Sequence, residues 1–262
     1  MSVPPLLKNI RRLDGFEEET INILQISPKS KYCAIGSEQG NLKIFLVSDW
    51  SVVREYRAHE SKRSLSWHPQ ITGALTVGSG NGDLVFIKLH EDKKDFIYLH
   101  HLKGFVHHVC FNEEGSQLAV SYEDKLAVLD MEGFDWGSEA DIDQNGMGDE
   151  VEGENELDND RVESDDDDVD EEGKGLNKNH LTIPAKSVIR GIHFVEDTII
   201  VCFLAHGITI YSTKPPFQVV GKFVLRTDRE SFIGASALSP SKNTLAVTNL
   251  VDGIDWFDVE SR

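Results

Sequence analysis

Short alternations of apolar and polar residues, each closed by a turn, run along this chain from residue 21 to residue 257, and no helical or α/β pattern dominates. Ile21, Leu24 and Ile26 precede Ser27-Pro28; Leu65 and Trp67 precede His68-Pro69; Val106, Val109 and Phe111 precede Asn112. Ile189, Ile192 and Phe194 precede Val195-Glu196-Asp197, and Ile233 and Leu238 precede Ser239-Pro240. Proline after a polar residue ends a strand, because it lacks the ladder N–H and biases its predecessor toward an extended turn entry. A second run follows each turn, at 32–37, 73–78, 117–122, 198–204 and 244–249. These runs are small or β-branched and apolar nearly throughout, which predicts strands buried on both faces.

A third run ends at Phe45, Ile87, Leu129, Tyr211 and Phe257, in steps of 42, 42, 82 and 46 residues. A weaker fourth run follows at 52–56, 96–102, 181–184 and 219–225. Each unit reads as an inner, second, third and outer strand, and the fifth stops at Arg262 without its outer strand. A period of about 40–45 residues is that of a four-stranded propeller blade. The step of 82 is one such repeat carrying an insert of about 40 residues. Residues 6–13, before Asp14-Gly15, read as an outer strand with no inner partner. Either this strand joins 254–259 and closes a five-bladed ring, leaving no long free edge, or the ring holds further blades.

Composition locates the insert. Residues 138–172 hold 18 Asp or Glu and one Arg, and so carry −17 of the formal net charge of −19. The remainder is near neutral, so the acidic pI of 4.8 describes one segment, expected to be a disordered loop. A broad basic face for nucleic acid is disfavoured. The chain is expected to divide into 1–137 (N-terminal outer strand and blades 1–3), 138–176 (acidic insert) and 177–262 (the end of blade 3 and blades 4–5). Cys33, Cys110 and Cys202 lie in apolar runs without metal spacing and read as core thiols. Residues 1–13 do not resemble a signal peptide, and no run approaches the ~18 apolar residues of a membrane span. The expectation is a soluble chain of a reducing compartment, cytoplasmic or nuclear.

Within the insert, Asp141, Asp143, Asn145, Gly146, Met147 and Glu152 meet a calcium-loop template, with ligands from all but Gly146. Gly148 stands where an apolar residue normally joins paired loops, no amphipathic helix flanks the motif, and acidic tracts match such templates by chance. A solvated linker is the expected reading. Ser164, followed by Asp165 to Asp168, fits an acidophilic kinase substrate. The doublets His100-His101 and His107-His108 lack a third ligand or a nearby carboxylate and read as structural. The glycine-rich stretch 78–82 joins two strands and reads as a turn. No local signature suggests a catalytic triad, and no cofactor is called for.

The pattern Ile21-Asn22, Leu24, Ile26-Ser27-Pro28, Tyr32, Ala34, Gly36-Ser37, Gly40, Leu42, Ile44-Phe45 resembles a WD40 repeat. The resemblance covers about residues 6–135 and 177–259, in degenerate form. The terminal Trp-Asp is replaced by Phe45-Leu46, Ile87-Lys88, Leu129-Asp130, Tyr211-Ser212 and Phe257-Asp258. The turn Asp becomes Gln39, Asn81, Glu123, Ala205 and Val251; His59 alone resembles the family's Gly-His pair, with Asn81 as its partner across the blade. The resemblance implies an all-β propeller of WD40 type, with five recognisable blades. Because the family most often closes with seven, and the repeat lengths fit a tight five-fold ring poorly, a partial seven-bladed ring is favoured over five-blade closure.

It also implies a non-enzymatic scaffold whose partners are proteins or peptides in multi-subunit assemblies. By family topology the turns between second and third strands and the outer-to-inner connections share one face. There Glu38, His59, Arg63, Asn81, Lys103, Glu123, Arg229 and Asp252 are the expected contacts, and the insert is expected on the opposite face. A second reading makes the acidic insert a chaperone for basic tails of ribosomal proteins or histones, through attraction that salt weakens. A third is a propeller hydrolase.

Overall fold

The computed structural model describes residues 13, 16, 18–91, 94–123, 125–137, 183–184, 187–214, 217–223, 232–251 and 253–259. They form five antiparallel sheets and no helix, so none is long and apolar enough to cross a membrane. Blade 1 is β1 (Ile21–Ile26), β2 (Tyr32–Ser37), β3 (Leu42–Leu46) and β4 (Val52–Tyr56). Blade 2 is β5 (Lys62–Trp67), β6 (Ala74–Ser79), β7 (Asp83–Lys88) and β8 (Phe96–His101). Blade 3 is β9 (Val106–Phe111), β10 (Gln117–Tyr122), β11 (Lys125–Asp130) and β12 (Ile183–Pro184), the last reached across the acidic segment and paired Leu126↔Ile183. Blade 4 is β13 (Ile189–Val195), β14 (Thr198–Phe203), β15 (Gly207–Ser212) and β16 (Val219–Phe223). Blade 5 is β17 (Ile233–Leu238), β18 (Thr244–Asn249) and β19 (Gly253–Asp258), three strands among the described residues.

Strands in each sheet follow chain order from inside to outside, and each inner strand packs against the next: β1 on β5, β5 on β9, β9 on β13, β13 on β17. Between blades 1 and 2 lie Ala34, Leu42, Ile44, Leu65, Trp67 and Val77; between 2 and 3, Leu84, Phe86, Val106, Val109 and Phe111. Ile192 and Phe194 meet Leu126 and Val128 between blades 3 and 4, and Ile200 and Ile208 meet Leu245 and Val247 between 4 and 5. The sheet of blade 2 is covered by blades 1 and 3, and β2 of blade 1 by blade 2 on one side and by Leu13 and Phe16 on the other, so β2 and β6 are buried at every position, as their uninterrupted apolar runs predict, while β1 leaves Ile21, Leu24 and Ile26 exposed. The last blade departs from this expectation. β18 is buried only at alternate positions, because among the described residues no further sheet covers its far face, where Ile254 and Trp256 are 57% and 69% exposed.

An inner strand is also a sheet edge, whose spare N–H groups need acceptors. The preceding blade supplies them. Gln25 Oε1 accepts from Trp67 N at 3.2 Å, Ser64 Oγ from Val109 N at 2.7 Å, and Ser66 Oγ from Phe111 N at 3.3 Å. His193 Nε2 lies 2.8 Å from Ser236 Oγ at the last junction.

After β11 the chain makes an aromatic return that the sequence patterns did not show. Phe134 and Trp136 turn back onto blade 2, their ring centroids 5.0 and 5.9 Å from that of Phe86. Residues 138–182, with the calcium-loop template and Ser164, lie outside the described residues. The cysteines are free; Cys33 and Cys202 are buried and Cys110 is half-buried. Burial pushes the thiols of Cys110 and Cys202 up to about 11, which keeps them protonated and unreactive at neutral pH.

Two inner-strand histidines make the fold acid-sensitive. Burial holds His108 and His193 down to about 4, with the charges of His107, His193 and Arg190 adding to the effect at His108. Unfolding returns both to the ordinary value of 6.5, so the unfolded chain binds more protons between these values. The stability they contribute is complete above pH 6.5 and is lost as pH falls toward 4. Thermal melts across that window should show the midpoint falling with pH, and His108→Gln with His193→Gln should flatten the slope. An unchanged slope would assign the acid sensitivity to other groups.

Candidate interaction face

All five blades close one end of the sheet in the same way. The first residue past the second strand donates its N–H to a residue just before the inner strand: Glu38 to Thr20 O (2.8 Å), Gly80 to Ser61 O (3.0 Å), Glu123 to Phe105 O (3.0 Å), Leu204 to Val188 O (2.8 Å) and Leu250 to Phe232 O (2.8 Å). At this end every inner strand also carries a bulge. The ladder skips Asn22, Arg63, His107, Arg190 and the pair Gly234-Ala235 in turn. A bulge takes a residue out of the pleat and re-aims its side chain. Five bulges at one place in the repeat therefore present Asn22, Arg63, His107 and Arg190 around one face.

Three of the predicted contacts meet there. Glu38 Oε1 accepts from Arg63 Nη2 at 3.3 Å and its Oε2 from Asn22 Nδ2 at 2.5 Å. Arg63 is held by its Nε on Ser61 Oγ (3.0 Å) and lies over the Phe105 ring, 5.7 Å from the centroid. Glu123 adopts a positive φ of 46° and accepts the Phe105 N–H at 2.9 Å. The chain Glu38–Arg63–Phe105–Glu123 so crosses blades 1, 2 and 3. It extends electrostatically to His107, lowered chiefly by burial, raised by Glu123 and lowered further by Arg63 and Arg190. These are exposed pairs, worth under about 1 kcal/mol each to the fold, so they shape a surface more than they stabilise it.

The other predicted residues stand apart. Asn81 is engaged in its own turn, donating to Asp83 Oδ2 at 2.5 Å and accepting from Asp83 N at 3.1 Å, and Asp83 also bonds His101 at 2.8 Å. The pairing of Asn81 with His59 implied by the family resemblance is not formed; Asp83 lies two residues away in the same turn and meets both ends of the Asn81 amide. His59 and Lys103 are exposed and join neither set among the described residues. Arg229 and Asp252 lie outside the described residues. The residue that sequence reasoning missed is Phe105, 51% exposed, because selecting loop positions by polarity passes over an aromatic in a loop. Phe232 and Leu250 continue the exposed apolar surface at the same repeat positions in blade 5.

Among the described residues no group of three His, Cys, Asp or Glu could hold a metal. A cavity between blades 1 and 2, lined by Leu42, Tyr56, Lys62, Val77 and Ile97 among others, holds about 20 Å³. That is room for a water, not for an organic substrate.

This architecture is a β-propeller. The sequence matches no protein-family profile and no curated protein. In structure it is similar to the Cps50 (Swd1) β-propeller domain of Myceliophteria thermophila, with a TM-score of 0.61 and 15% identity, over 92% of this chain and 65% of that one. This chain thus spans about two thirds of that domain's length, and at such identity the likeness is one of fold alone. Solved chains matching this shape number 1434, so the shape by itself selects no activity.

Proposed function

We propose that the chain is a non-enzymatic scaffold, cytoplasmic or nuclear, that holds a protein or peptide partner within a multi-subunit assembly. The partner seats on the face where Glu38, Arg63, Phe105 and Glu123 meet. One observation carries the reading: an exposed aromatic stacked by an arginine and flanked by carboxylates, spread over three rigid blades. Arginine and aromatic side chains dominate the energetics of protein interfaces, and loops on a rigid frame set partner choice.

The test is affinity capture from a cell extract, with bound proteins identified by mass spectrometry. Arg63→Glu combined with Phe105→Ala is expected to weaken capture about tenfold or more, as loss of an interface hot spot does. Deleting 138–172 is expected to leave it intact. Loss of the partner on that deletion, with the face variant unaffected, would instead favour the acidic segment as a holder of basic tails.

A further inference from the structure

The turn between the first two strands of blade 2 carries an exposed hydroxyl among lysines. It spans residues 68–73, at the end of the sheet opposite the face around Arg63. His68 Nδ1 accepts the N–H groups of Gln70 and Ile71 at 3.1 and 3.0 Å, which pins the first half of the turn, and Thr72 follows on the surface. Thr72 Oγ1 accepts from Lys29 Nζ of blade 1 at 3.4 Å, and the Thr72 carbonyl accepts from Lys88 Nζ of blade 2.

Lys31 completes the group. Burial first, and then the charge of Lys31, lower the Lys88 ammonium from its ordinary value. Glu91 is the one carboxylate bonded to any of the three lysines among the described residues, on Lys31 at 2.7 Å. Three ammonium groups gathered at one turn against one carboxylate leave a local excess of positive charge, which an anion at the turn offsets. The matching turn of blade 5 is arranged otherwise. Ser239 and Ser241 bond each other at 3.2 Å and Asn243 at 3.2 and 2.6 Å, while Lys242 reaches away to Glu113 at 2.6 Å.

We propose that Thr72 is a phosphorylation site whose phosphate is received by Lys29 and Lys88, with Lys31 acting at longer range. A protein kinase transfers the terminal phosphoryl group of a nucleoside triphosphate. The bond from phosphorus to the leaving diphosphate oxygen breaks, the bond from Thr72 Oγ1 to phosphorus forms, and the hydroxyl proton passes to the kinase's base. The product carries a charge of about −1.5 to −2 and three acceptor oxygens at the place that Lys29 already reaches. Charge-assisted hydrogen bonds to Lys29 and Lys88 then tie blade 1 to blade 2. The site stands independently of the function proposed above.

Two measurements on the full chain test this. Phosphothreonine installed at position 72 during translation tests the receiving lysines, and incubation of the unaltered chain with ATP and a eukaryotic cell extract tests the modification. The phosphorylated chain is expected to melt about 2–4 °C above the unmodified one. Phosphorus NMR is expected to place the second ionisation of the phosphate below its ordinary value of about 6, because the lysines favour the dianion. Both shifts should vanish in Lys29→Ala with Lys88→Ala; that variant is compared with and without the phosphate, so any loss of stability of its own cancels. After incubation in the extract, mass spectrometry should find phosphate on Thr72. Unchanged melting and ionisation, or an extract that leaves Thr72 bare, would overturn the proposal. So would an equal rise in melting when inorganic phosphate is added to the unmodified chain, which would assign the lysines to a soluble anion.

Discussion

Phe86→Ala is expected to cost about 3–5 kcal/mol of unfolding free energy, the range for emptying a fully buried phenylalanine site. The ring is wholly buried and lies at the centre of an aromatic group, with centroids 5.0 Å from Phe134, 5.9 Å from Tyr98 and 5.9 Å from Trp136. The strands around it are hydrogen-bonded on both sides and cannot collapse into the space, so the cavity term adds to the lost transfer energy. Phe86→Leu keeps most of the volume and should cost less than about 2 kcal/mol. Urea denaturation of both variants reads the difference. A loss below about 1 kcal/mol for the alanine variant would mean that the return through Phe134 and Trp136 does not pack on blade 2 as described.

Gly82→Ala is expected to be as damaging for a different reason. Gly82 adopts φ +101°, and an added Cβ would lie 2.0 Å from the Leu102 carbonyl oxygen, so a backbone segment has to move. Leu102 N also bonds Gly82 O at 3.0 Å, so this movement breaks the tie between the turn and the connection leaving β8. Gly40 repeats the arrangement in blade 1, at φ +94° and 1.8 Å from Ala58 O. The expected loss is on the order of 3 kcal/mol or more. Gly133→Ala separates clash from conformational strain, because φ is +78° there and nothing lies within 4 Å of the added atom. It should cost only about 1–2 kcal/mol. Equal losses at Gly82 and Gly133, measured by the same denaturation, would show that the close approach to Leu102 contributes nothing.

The blades were legible because the physics that makes them is local. Ser27-Pro28 and His68-Pro69 stop strands through proline's missing N–H, and the doubly covered sheets impose apolar runs such as 32–37. Third strands run one residue past the apolar ends that the patterns mark, to Leu46, Lys88, Asp130, Ser212 and Asp258, because the residue after the last apolar position still pairs with the second strand. The face was half legible. Glu38, Arg63 and Glu123 followed from position in the repeat, but the link through Phe105 depends on an Arg–aromatic approach between blades, which no spacing within one repeat encodes. Asn81 differs for the opposite reason: its bonds run to Asp83, two residues away, whereas the family resemblance implies a partner across the blade. Phe134 and Trp136 sit beside an acidic tract with no repeat of their own, so nothing periodic marked them as core.

The bulges bear on how such a surface can diversify. Arg63, His107 and Arg190 sit where the ladder skips a residue, so their side chains are not tied to the alternation that fills the spaces between blades. Exchanging one for another residue type leaves the register of the flanking strand, and every interior contact it makes, as it was. Surface chemistry can therefore drift at these places without a compensating change inside the sheets, which gives the propeller a set of variable letters in an otherwise constrained text.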